Sequence, residues 1–165
     1  MPAFPPTPRG LLAACLIGTS ILLASCEAPI IYQTPQDRQA ISAAVAAEKP
    51  GNYYIGYRFY KVDYHIWGWV KNPGQPWKDS QLVMFNEQKK LAPDREHLAI
   101  GSDNNIIYKL TGFFSGQKVY EPASDTLYPE FVLTGASVMT TNPPLIFPDK
   151  RWTDPAIRLI GPPQF

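Results

Sequence analysis

The side chains with chemistry to offer are two cysteines, two histidines, a few carboxylates and a crowd of aromatic rings. His65 and His97 stand far apart along the chain, with no cysteine near either to complete a zinc set. A nucleophile elbow, a phosphate loop, a dinucleotide fingerprint and a zinc-protease helix are all missing from the sequence. Asp103-Asn104-Asn105 lacks the alternating ligands of a calcium loop and reads as turn chemistry. Asp63, Asp94, Glu96 and Glu130 are of the type that pairs as acid and base in glycosidases, but no spacing singles out a pair. No catalytic residue, metal site or cofactor is expected.

The sharpest feature is aromatic density, with nine rings from Tyr53 through Trp77. If Ile66 and Val70 point inward, His65, Trp67 and Trp69 point to the opposite face of the strand. Two exposed tryptophans would make a stacking platform for a sugar or a peptide, with Trp77 flanking them beyond the Pro73-Gly74 turn. The competing reading is that both strand faces are covered, one of them by the N-terminal helix or the proline-rich tail.

The cysteines belong to the N-terminus. Arg9 gives one positive charge ahead of an apolar run over residues 11–24. That run falls short of the ~20 residues that span a bilayer and fits a signal-peptide core. Leu23-Ala24-Ser25-Cys26 resembles the lipobox of bacterial lipoproteins: an aliphatic residue, two small residues, then cysteine. The resemblance covers the chain only as far as Cys26 and implies cleavage between Ser25 and Cys26, with acyl chains on the new N-terminal cysteine. Leu12-Ala13-Ala14-Cys15 fits the same pattern, but almost no hydrophobic core precedes it, and cleavage there would leave an apolar stub. The expected partner is thus a membrane, reached through the acyl chains, in a cell envelope and outside the cytoplasm. Residue 27 is Glu where Asp favours inner-membrane retention in Gram-negative sorting, which leans toward the outer membrane. The mature chain would keep one cysteine, its sulfur consumed by lipid, so no intrachain disulfide is expected.

Arg9 is the sole basic residue before Cys26, and no acidic residue precedes it, leaving 14 basic and 14 acidic residues beyond the cut. Zero formal charge argues against nucleic acid, whose binders carry a basic surplus.

These residues must be positioned by one ordinary domain, since 165 residues are too few for two. The sequence divides into a signal peptide (1–25), a lipidated N-terminus and tether (26–33), a short helix (34–49), a β domain (53–140) and a proline-rich tail (141–165). Thr34-Pro35 with Asp37 three positions on predicts a capped helix start, and Pro50-Gly51 its end. From Tyr53 the apolar period becomes two, with a phase slip at Phe59-Tyr60 that predicts a bulge or two strands. Further strands are predicted over 81–85, where Asp79 and Ser80 could also cap a helix, and over 106–111, 117–120 and 130–140. Ser115-Gly116 reads as a hairpin turn, 92–105 and 121–129 as loops, and Gly135 as a bulge or close approach. Eighteen prolines concentrate toward the two ends, and those after Thr140 predict an irregular tail. The expected fold is mainly β: a small antiparallel barrel, OB-like or SH3-like, or a sandwich, with one short helix.

The reading that follows is a membrane-anchored, non-enzymatic envelope module that binds an envelope protein or glycan or supports structure. Its rivals are a small hydrolase of cell-wall glycan and a carrier with a ligand in the barrel.

Overall fold

The computed structural model describes residues 30–61, 64–154, 156 and 165, without the side chains of 59–61 and 64–67. Cys15, Cys26 and the apolar run over 11–24 therefore lie outside the described residues.

Helix α1 (Pro35–Ala46) begins as its sequence dictates. Thr34 Oγ1 accepts from the Asp37 amide at 3.1 Å, and the Asp37 carboxylate accepts from the Thr34 amide at 2.8 Å. Two of the amides that a helix start leaves unpaired are thereby satisfied. Ile41 and Val45 pack against the core, while Ala44, on the predicted stripe, stays exposed.

Five strands follow: β1 (Tyr54–Lys61), β2 (Tyr64–Lys71), β3 (Gln81–Asn86), β4 (Ile107–Glu121) and β5 (Thr126–Thr140). They close into a barrel in the order β1-β2-β3-β5-β4, and β4 pairs back onto β1. Four pairings are antiparallel, but β3 and β5 run parallel, which corrects the all-antiparallel expectation. The reason is the long excursion between them: β4 crosses to the far side of β1, and its hairpin partner β5 returns beside β3. Closed order and parallel pair together are those of an OB-like barrel.

The phase slip at Phe59-Tyr60 is a register shift in the β1–β2 ladder between Phe59 and Lys61. At Gly135 the β4–β5 register skips a residue, and an added Cβ would lie 2.5 Å from Thr111 Oγ1, as a bulge with close approach requires. Ser115-Gly116 does not turn the chain; it sits in a further register irregularity within a continuous β4. The hairpin turns instead at residues 122–125. There the Glu121 carboxylate accepts from the amides of Ala123 at 3.0 Å and Ser124 at 2.7 Å. A carboxylate at the end of β4 thus performs the turn chemistry expected of Gly116, and β5 starts earlier than expected. The 92–105 stretch holds one helical turn, α2 (Pro93–Glu96), started by proline.

The core has two layers. Inside the barrel, Val70, Val83, Phe85, Leu110, Phe131 and Leu133 meet from four strands, and β1 adds Tyr54. Phe131 takes Tyr54, Phe114 and Phe85 edge-on at 5.2, 5.3 and 5.9 Å. Gly68 makes room on β2, because an added Cβ would come within 2.3 Å of the Phe85 ring. Outside the barrel, Ile55, Tyr57, Trp69, Leu82, Met84 and Ile107 are covered by Ile146 and Phe147 of the tail. The tail is irregular over 141–148 as its prolines demand, then bridges Tyr32 through Asp149 and makes a 3-10 turn over Lys150–Thr153.

Candidate functional site

The aromatic strand is the first place to look for a binding face, and at the positions described it is core. Trp69 is 8% exposed and Trp77 6%, so neither offers a ring to a ligand. Phe147 lies 6.3 Å from Trp69 and 5.5 Å from Tyr57, and Trp77 meets Tyr57 edge-on at 5.9 Å. This corrects the platform expected at Trp69 and Trp77. Val70 points into the barrel and Trp69 out of it, but the outer face is roofed by the tail, so alternation places both neighbours in apolar surroundings. Trp67 pairs through its backbone with Phe59 and Met84. The side chains of Trp67 and His65 lie outside the described residues.

The structure gathers ionisable groups at one end of the barrel instead. Arg58, on the interior phase of β1, is 3% exposed. Its Nη2 donates to Asp94 and its Nε to Asp103, both at 3.2 Å, while Nη1 stands 3.9 Å from Glu87. The guanidinium also lies 5.5 Å above the Phe85 ring. Arg95 adds a second, more exposed ion pair to Glu87 at 3.1 Å. Asp94 caps its own loop, accepting from the Gly101 amide at 2.9 Å, and Glu87 accepts from the Ala92 amide at 3.0 Å. Burial pushes the Glu87 and Asp103 carboxyls above the usual range, against the pull of Arg58. Burial, then the Asp103 charge, raises the Tyr108 hydroxyl likewise, and burial alone raises Tyr57, whose hydroxyl bonds Asn105. Chemically this is a clamp: a permanent cation fixes carboxylates from just past β3, from α2 and from the following loop, and so fixes the 92–105 segment against the barrel. The sequence carried one sign of it, an arginine set among aromatic residues within a strand.

The other end of the barrel holds a second buried cation. Lys71 donates to both oxygens of Glu48, at 2.5 and 2.7 Å, and its Nζ lies 5.0 Å over Trp77. Glu48 also accepts from the Gly74 amide at 2.7 Å, so one carboxylate just past α1 ties the helix to β2 and its turn. Burial lowers the Lys71 ammonium, and Glu48 pushes it back up. Beside it lies a cleft of about 140 Å³, lined by Tyr54, Lys71, Gln75, Asp79, Gln81 and Phe114 among others. That is smaller than the roughly 300–1,000 Å³ of small-molecule pockets.

The carboxylates considered for acid–base work fall into separate sets. Asp94 belongs to the clamp, Glu96 pairs with Lys90, Glu130 accepts from Asn86 at 2.9 Å, and Asp63 lies outside the described residues. Among the described residues no group of three histidine, cysteine or carboxylate side chains is placed to hold a metal ion. No protein-family model, curated protein or solved structure matches the chain significantly.

Proposed function

We propose that this chain is a lipid-anchored module of the bacterial cell envelope that binds a partner or supports envelope structure, without catalysing a reaction. The observation that carries the reading is Leu23-Ala24-Ser25-Cys26, a lipobox at the end of the apolar run over 11–24. The architecture after it suits an anchored module. By Ile31 the chain is already fastened to the fold: the Lys150 amide donates to Ile31 O and the Gln33 amide to Pro148 O, both at 2.8 Å. The polar clusters described above are each spent on holding one element to another, which supports binding or scaffolding over hydrolysis. Zero net charge beyond the cut gives a nucleic-acid partner no support.

The test is metabolic labelling with a fatty acid. Cys26→Ser should abolish the label and leave the precursor uncut, while Cys15→Ser should change neither. Loss of label in the Cys15→Ser chain alone would overturn the assignment.

A further inference from the structure

Two groups of large apolar side chains are displayed to solvent, one at the tether and one on a loop bonded to it through a turn. Ile30, Ile31 and Tyr32 are 40, 53 and 62% exposed, although their backbone is hydrogen-bonded into the fold. In the loop after α2, Leu98 is 92% and Ile100 56% exposed. Leu98 also holds φ at +54°, a left-handed conformation that glycine or asparagine adopts more cheaply. Among the described residues, neither side chain packs against the core.

The loop is built, not slack. The Ala99 amide donates to Asp94 O at 2.8 Å, Ser102 to Ala99 O at 2.9 Å, and Gly101 to the Asp94 carboxylate that Arg58 clamps. The end of this loop is joined to the tether through one turn. Asn104 Nδ2 donates to Thr153 O, Thr153 Oγ1 to Lys150 O, and the Lys150 amide to Ile31 O. The span from Cys26 to Ile30 reaches at most about 14 Å when fully extended. An acylated Cys26 therefore brings a bilayer surface within that distance of Ile30.

We infer that residues 98–100, with residues 30–32, are a membrane-contact edge that seats the barrel on the bilayer holding its own acyl chains. The inference rests on the lipid-anchor reading above. An apolar interface in reach of the tether accounts for exposed leucine and isoleucine on a rigidly held loop, and for the strain at Leu98. The buried Arg58 clamp then has a purpose beyond stability: it holds the loop in its displaying conformation.

The experiment uses the full, acylated chain in vesicles of phosphatidylethanolamine and phosphatidylglycerol. Ala99→Cys, between the two apolar residues and exposed, carries an environment-sensitive fluorophore, and exposed Thr126→Cys at the β4–β5 hairpin serves as the reference. Lipid-borne quenchers should quench residue 99 several-fold more than residue 126. Adding Leu98→Ser and Ile100→Ser should bring residue 99 down to the reference level. Equal quenching at both sites, or quenching unchanged by the serines, would overturn the membrane edge while the anchor stands. A chain that does not float with the vesicles fails as a lipoprotein and takes this inference with it.

Discussion

Replacing Arg58 by methionine is the perturbation whose outcome the structure fixes most tightly. The guanidinium is 3% exposed and faces Asp94, Asp103 and Glu87, all of them buried or nearly so. Methionine fills much of the stem's volume but leaves those carboxylates with Arg95 as the remaining cation on Glu87. Breaking a buried pair from one side costs about 3–5 kcal/mol, because the stranded charge keeps its desolvation penalty. Total stability of a domain is roughly 5–15 kcal/mol, so the variant should fold but sit near its limit at pH 7. With a urea slope of about 1–3 kcal/mol per molar, the midpoint should fall by roughly 2 M. The pH dependence separates this from simple loss of packing. Without Arg58 the Glu87 and Asp103 carboxyls rise further, and their protonation removes stranded charge. The deficit against the wild type should therefore shrink as pH falls from 7 toward 4. Urea titrations monitored by tryptophan fluorescence at several pH values read both quantities. A loss below about 1 kcal/mol at pH 7, or a deficit that grows on acidification, would refute the clamp.

Trp69→Ala and Trp77→Ala should each cost about 3–5 kcal/mol of folding stability, because both rings are core; a small change in melting temperature would return them to the surface. In the wild type, Glu87 and Asp103 bind protons more readily folded than unfolded. Between the ordinary carboxylate range and their raised values the folded state holds the extra protons, so their contribution to unfolding free energy falls as pH rises through that window. Glu87→Gln should make this fall shallower in denaturant titrations, and an unchanged pH profile would contradict the raised carboxyl.

Local signals in the sequence translated into local structure. The Thr34-Pro35-Asp37 cap, the period change at Tyr53, the slip at Phe59-Tyr60 and the bulge at Gly135 each depend on near neighbours in the chain, and each is where its residues place it. What the sequence hid depends on contacts far apart along the chain. Ile146 and Phe147 cover Trp69 from the opposite end of the domain's sequence, which is the covered-face reading with the tail as the cover; strand alternation by itself could not choose it over a wet face. The parallel β3–β5 pair follows from the route of β4, not from any residue in either strand. The arginine clamp draws on β1, the residue just past β3, α2 and the loop to β4, and Arg58 alone hinted at it. For the address the reverse holds: Cys26 was read wholly from its immediate sequence context, and its own surroundings lie outside the described residues.

The most direct test of the central claim is mass spectrometry of the mature N-terminal peptide, taken from the membrane fraction of cells that express the full chain. The account predicts a peptide that begins at Cys26, lacks residues 1–25 and carries the mass of acyl groups on that cysteine. A peptide that still contains residues 1–25, or an N-terminal Cys26 without lipid, would contradict it.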